Sequence, residues 1–224
     1  MTPSFADGRI SPLDLVWDHA IKDSFESFKD HFPTAMLFQN KRDLRKWAIK
    51  RAVMNHEHVG LISEFGVFRG NGISLFARVL APYGLGITGF DSFEGLEEDW
   101  TGHHNGRTQG GFGQQSTPPG VPENAKLIKG KVQDTLPGFL ARQGPLHYTF
   151  AHMDFDTYTP TAFTLSAIKD RLRKGTVLVF DELYGYPGWR HHEWKALKET
   201  LPDACYDFIA FGTESVAIEI NRDL

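Results

Sequence analysis

Glu64-Phe-Gly-Val-Phe-Arg-Gly-Asn-Gly-Ile-Ser74, with Gly89-Phe-Asp-Ser-Phe-Glu-Gly-Leu96 after it, decides the fold. The apolar run from Val59 to Ile62 leads to a carboxylate, Glu64, and then to glycines. Ile73, Phe76, Ala77 and Leu80 follow at helical spacing and form one apolar face. A second apolar run, Leu85 to Phe90, again ends on a carboxylate, Asp91. The pattern is strand, tight turn, helix, strand, with an acid at each strand tip. Open α/β sheets bind ligands in the crevice beyond the carboxyl ends of their strands. Gly66, Gly70 and Gly72 let the backbone approach a ligand and open a helix whose N-terminus favours anionic groups. Glu64 would repel a pyrophosphate but pairs with an ammonium group, and Asp91 suits the hydroxyls of a ribose. The expected ligand is therefore nucleoside-like with an amino-acid group, which describes S-adenosylmethionine.

The same grammar continues downstream. Ala125 to Gly130 is a short strand, and Val132 to Leu140 starts a helix capped by Asp134 or Thr135. Gln133 and Asp134 either reach an adenine edge or belong to that helix start. Leu146 to Met153 is a strand ending in Asp154-Phe-Asp156, and Thr161 to Arg173 is a helix with Gly175 just past its end. Thr176 to Phe180 is a buried strand ending in Asp181-Glu182, and Trp194, Leu197 and Leu201 mark one more helix. Asp207 to Phe211 and Val216 to Ile220 form a closing hairpin. This predicts an α/β, Rossmann-like, doubly wound and mostly parallel sheet whose last strand is antiparallel.

Asp154, Asp181 and Glu182 thus lie at neighbouring strand tips. Carboxylates crowded without a cation raise one another's pKa and cost stability. An oxygen-seeking dication, Mg²⁺ foremost, relieves this with two or three protein ligands plus water and substrate oxygens. Asp156 is either a further ligand or the cap of the helix containing Thr161. His103-His104 and His191-His192 are not expected to form a zinc site, since adjacent side chains diverge on a helix and Cys205 has no CxxC companion. His191 or His192 is expected to line an acceptor pocket beside Trp189.

Composition sets the outer bounds. The 224 residues make one α/β domain, and a hydrophobic content of 41% with 23% charged residues is ordinary globular usage. A net charge of −4 argues against nucleic acid as the partner. One cysteine fits a reducing cytosol, and neither a membrane span nor a signal-peptide layout is seen, so a cytoplasmic protein is expected. Residues 1–58 carry no strand pattern and are expected to be helical. Leu44, Trp47, Ala48 and Arg51 mark a helix with a basic outer face, and this segment caps the pocket or offers a homodimer surface. The catalytic domain is then 59–224. Residues 100–122, rich in Gly, His, Gln and Pro, form either a flexible lid over the crevice or an insertion without a role.

Five segments, taken in order, resemble the S-adenosylmethionine-dependent O-methyltransferases of the macrocin and mycinamicin sugar type. They are Glu64-Phe-Gly-Val-Phe-Arg-Gly-Asn-Gly, Asp91-Ser-Phe-Glu-Gly-Leu, Gly130-Lys-Val-Gln-Asp-Thr-Leu-Pro, His152-Met-Asp-Phe-Asp-Thr-Tyr and Phe180-Asp-Glu. The resemblance implies a seven-stranded fold, Mg²⁺ dependence and methylation of a sugar hydroxyl. It implies cofactor contacts at Glu64, Gly66, Ser74, Asp91, Ser92 and Gln133. Metal ligation is implied at Asp154, Asp181 and Glu182, with Asp154 as the base. Phe68 replaces a glycine of the commoner methyltransferase motif, and Glu182 stands where the sugar enzymes usually carry aspartate.

The expected activity is methyl transfer to a hydroxyl of a small-molecule acceptor, a sugar or another vicinal diol. Metal-independent transfer and a non-catalytic S-adenosylmethionine-binding role stay open. A nicotinamide-dependent oxidoreductase fits less well, because the glycine spacing is GxxxGxG rather than GxGxxG.

Overall fold

A computed structural model describes residues 11–55 and 58–224. One sheet contains β1 (Met36–Leu37), β2 (Leu61–Phe65), β3 (Ile87–Asp91), β4 (Ala125–Lys129), β5 (Tyr148–Met153), β6 (Leu172–Phe180), β7 (Tyr206–Phe211) and β8 (Val216–Ile220). Their spatial order is β1-β7-β8-β6-β5-β2-β3-β4, and only β8 runs antiparallel to its neighbours. The helices are α1 (Pro12–Phe28), α2 (Lys41–Asn55), α3 (Asn71–Leu80), α4 (Val132–Arg142), α5 (Tyr158–Ile168) and α6 (Glu193–Thr200). Parallel strands buried on both faces read as continuous apolar runs, and all residues of β2 and β5 are buried. One core layer gathers Phe65, Phe90, Tyr148, Met153 and Phe180 with α4, α5 and α6. The other packs Leu44 and Ala48 of α2 and Ile73 and Phe76 of α3 against Phe150 and Val179. β2 lies between β3 and β5, so strand order reverses there and the crevice opens at the tips of these three strands.

The doubly wound, mostly parallel sheet with an antiparallel β8 agrees with the sequence reading. The described residues form eight strands rather than seven, because β1 from the N-terminal segment pairs in parallel with β7. α1 falls in the segment expected to be helical, and Ser11-Pro-Leu-Asp14 signals its start. Ser11 Oγ accepts from the Asp14 amide at 3.2 Å, and Asp14 Oδ2 accepts from the Ser11 amide at 2.7 Å. α4 is capped neither by Asp134 nor by Thr135; its N-cap is Lys131, whose carbonyl accepts the Thr135 hydroxyl at 2.9 Å. Nor does Asp156 cap α5, whose N-cap is Thr157. α5 stops at Ile168, and Gly175 lies inside β6 at φ 91°, where the β5–β6 register shifts. A residue with φ in that region is cheap only for glycine.

The segment after Asp91 is not structureless. Leu96 N–H donates to Gly111 O at 2.9 Å, Leu96 O accepts from Gly110 N–H at 2.9 Å, and Trp100 N–H donates to Arg107 O at 2.8 Å. Phe93 and Trp100 are buried beneath it. Among the described residues, no helix is long and apolar enough to cross a membrane.

Candidate active site

Three of the turn glycines make room first for this chain's own groups. A Cβ on Gly66 (φ 91°) would sit 1.9 Å from the Asp154 carbonyl oxygen, so the tips of β2 and β5 meet there. A Cβ on Gly72 would lie 2.1 Å from Glu64 Oε1. Gly70 (φ 79°) starts α3, and a Cβ placed on it would lie 3.1 Å from Pro119, so the long loop folds over the turn. Asp91 holds the same turn from the other side. Its Oδ2 accepts the Val67 and Phe68 amides at 2.8 Å each, and Oδ1 accepts the Phe93 amide at 2.7 Å.

A cavity of about 260 Å³ opens at this edge. Gly66, Asp91, Ser92, Asp154, Asp156 and Glu182 are all on its wall, together with Trp100 of the loop and Val132 of α4. Asp91 of the glycine-turn half therefore shares one hollow with Asp154, Asp156 and Glu182 of the β5–β6 half. Glu64, Gly70, Ser74, Gln133, Asp134 and Asp181 are not among its lining residues. Glu64 is 1% exposed, with Oε1 3.1 Å from His152 Nδ1 and Oε2 buried without a partner. Gln133 donates from Nε2 to Glu97 at 2.9 Å, and its Oε1 is likewise buried and unpartnered. Asp134 is exposed at the surface of α4.

The carboxylates beyond β5 and β6 converge as expected, but with partners the sequence does not announce. Lys41 and Arg45 of α2, on a helix whose basic face is expected to point outward, turn toward the acids. Lys41 Nζ is 3.0 Å from Asp181 Oδ2 and also bonds Glu182 Oε1. Arg45 donates to Asp181 Oδ1 from Nε at 3.0 Å and from Nη2, which also lies 3.4 Å from Asp154 Oδ2. His152 spans Glu64 and Asp181, the latter at 3.4 Å. Burial works to raise the Asp181 pKa, but Arg45 and Lys41 hold it well below the usual carboxylate range. Asp154, Asp156 and Glu182 are pushed up, by burial first and then by their neighbours' charge: Asp181 for Asp154 and Glu182, Asp154 for Asp156. Asp154, Asp156 and Glu182 can each place an oxygen within 4.8 Å of the others, and Glu182 Oε2 is buried without a partner. Asp156 has φ 63°, a costly conformation for a non-glycine residue that tends to be kept at functional sites. Glu193 joins the cluster without any sequence signal: it is fully buried, and its Oε2 accepts the Glu182 amide at 3.1 Å.

Of the histidine pairs, His191 does border a groove beside Trp189, a separate one shared with His19 and Asp23. His192 is buried and contacts the Thr101 carbonyl at 3.0 Å, stapling the loop. Neither lines the acid-walled cavity. His103 and His104 do approach each other, with ring centroids 4.2 Å apart, because they lie in a loop and not on a helix. His103 Nε2 is 3.2 Å from Glu214. Lys41 also borders a second cavity of about 860 Å³, walled by Trp17, Phe25, Phe32 and Tyr184, with Ser24, His104, Thr213 and Glu214 as its other polar members.

No curated protein matches the chain. The crystal structure of CalS11, a calicheamicin methyltransferase, is similar, with 23% identity, coverage of 94% of each chain and a TM-score of 0.66. The O-methyltransferase NovP is similar at 17% identity, over 81% of this chain and 80% of its own, with a TM-score of 0.63. At these identities the likeness is one of fold. A family model described as a methyltransferase domain matches residues 63–183, from the strand that carries Glu64 to the acids after β6. That stretch is more than half of the chain, and the protein therefore belongs to the methyltransferase domain family.

Proposed function

We propose that the protein is an S-adenosylmethionine-dependent O-methyltransferase acting on a hydroxyl of a small molecule, a sugar or a natural-product diol, with Mg²⁺ assisting. The observation that carries this reading is the shared hollow: Asp91 and Ser92 on one wall, Asp154, Asp156 and Glu182 on the other. The unpartnered Glu64 Oε2 suits the ammonium of the methionine moiety, and the unpartnered Gln133 Oε1 suits an adenine amino group. Asp91 and Ser92 suit the ribose. When bound, the sulfonium supplies the methyl group: the S–C bond breaks to leave a thioether, a C–O bond forms, and the hydroxyl proton goes to a carboxylate.

Asp154 takes that proton in the first reading. Asp156 is a second candidate, because Asp154 shares Arg45 whereas no cation lies within ion-pair distance of Asp156 among the described residues. Asp154, Asp156 and Glu182 offer the hard oxygen donors that Mg²⁺ prefers, and the ion would lower the pKa of a bound hydroxyl. Asp181 joins them as a ligand only by releasing Arg45 or Lys41. The loop carrying Trp100 limits water at the reacting atoms. The larger aromatic-walled cavity bordered by Lys41 gives the acceptor room.

Calorimetric titration with S-adenosylhomocysteine and with NAD tests the cofactor. Binding of NAD alone would overturn the reading. Asp154→Asn and Asp156→Asn, assayed with S-adenosylmethionine over a panel of sugar and diol acceptors with and without EDTA, then separate base from bystander. Full turnover in both variants would remove a carboxylate base, and indifference to EDTA would remove the ion.

A further inference from the structure

The acids at the tips of β5 and β6 are compensated unequally. Asp181 is saturated: its oxygens accept from Arg45, Lys41, His152 and the Ser215 hydroxyl. Arg45 meets it with two nitrogens of a planar fork, an arrangement that is pre-organised and rigid. Among the described residues the cation that holds Glu182 is Lys41, through Oε1, while the Asp156 carboxyl meets the same side chain and Oε2 has no basic partner. Lys41 is a point charge on a flexible stem, 31% exposed, and it also borders the aromatic-walled cavity. Glu214 Oε2, on that same cavity, is already 3.6 Å from its ammonium. Lys41 thus has a second carboxylate to move to, whereas among the described residues Arg45 pairs only with Asp181 and Asp154.

We propose that Lys41 is a displaceable counter-ion of the cation site. With no divalent ion present its ammonium neutralises Glu182. An ion held by Asp154, Asp156 and Glu182 would repel that ammonium at contact range, so it withdraws toward Glu214. Arg45 remains as the permanent brace of Asp181. Ion binding is then weaker than the carboxylate count suggests, and it is coupled to the charge lining the acceptor cavity. This inference rests on the metal-assisted reading above, but not on the identity of the methyl acceptor.

The test is Mn²⁺ binding, followed by the electron paramagnetic resonance of the free ion, on the full chain without cofactor or acceptor. Removing a unit charge at contact distance from a dication is expected to tighten Mn²⁺ binding in Lys41→Met on the order of tenfold. Lys41→Arg should stay near the wild type. Glu214→Gln should weaken binding when Lys41 is present and leave the Lys41→Met protein unchanged, a pattern that a merely structural lysine would not produce. Equal or weaker Mn²⁺ binding in a folded Lys41→Met protein overturns the proposal, and so does a Glu214→Gln effect that persists without Lys41. Wild-type binding of S-adenosylhomocysteine, measured alongside, distinguishes failure of this inference from failure of the cofactor reading.

Discussion

Gly72→Ala tests how the chain holds its deepest acid. Gly72 lies in the first turn of α3 with an ordinary helical φ, so alanine should gain about 1 kcal/mol of helix propensity. The added methyl, however, would stand 2.1 Å from Glu64 Oε1 and 3.1 Å from its Cδ. Glu64 has little room to retreat, being 1% exposed on a strand flanked by β3 and β5 and bonded to His152. Displacing it sacrifices a hydrogen bond to a charged group, about 1.5–3 kcal/mol, and overpacks the site by a further 1–3 kcal/mol or so. The net expectation is a loss of about 3 kcal/mol, or roughly 6–12 °C in Tm for a chain of this size. Scanning calorimetry of Gly72→Ala, Glu64→Ala and the double variant reads this directly. Truncating Glu64 vacates the space, so the double variant should be more stable than additivity predicts by about 2–4 kcal/mol. A single Gly72→Ala variant that melts at or above the wild type would refute the reasoning. A penalty that survives Glu64→Ala would refute it equally.

Other perturbations follow from the same charges. Arg45→Met leaves Asp181 buried without its guanidinium and should cost about 3–5 kcal/mol in a denaturant melt; a cost below about 1 kcal/mol would mean that Lys41 and His152 suffice. Burial first, then the charges of Asp181 and Asp154, hold the Glu193 carboxyl well above its usual value. The folded state then keeps this proton longer than the unfolded state. Its stabilising contribution is complete below the ordinary value of 4.5 and is lost as pH rises through the folded pKa. Glu193→Gln should therefore flatten the decline in stability between that pH and alkaline conditions, leaving the share due to the other raised acids, Glu182, Asp156, Asp154 and Glu64; an unchanged slope in urea melts at successive pH values would contradict this.

What the sequence reveals and what it hides divide along contact range. Strand-tip acids are legible because a carboxylate closing an apolar run has few places to point except the sheet's edge. Glu64, Asp91, Asp154 and Asp181 are located that way, as are the antiparallel β8 and its hairpin. The turn glycines are legible too, and they have a second role the sequence does not show: Gly66 and Gly72 also make room for Asp154 and Glu64 within the chain. Lys41 and Arg45 escape assignment, because the partners that orient them are more than a hundred residues away and a basic helix face ordinarily meets solvent. The two-residue β1 is too short to show any periodicity. The ordered loop after Asp91 is built on backbone hydrogen bonds that its Gly- and His-rich side chains do not advertise. α1 alone carries a readable signal that periodicity overlooks, its capping box.

The short β1 has a bearing on how tolerant this protein is of length changes. Three residues join Leu37, pinned to Phe211 across the strand pair, to Lys41 at the head of α2. One residue inserted into that link would turn the helix by about 100° about its axis and advance it by about 1.5 Å. Lys41 and Arg45 would then swing off the carboxylates together, as a unit. A substitution elsewhere in α2 can be absorbed locally, but a single-codon insertion between 37 and 41 would disarm both cations at once.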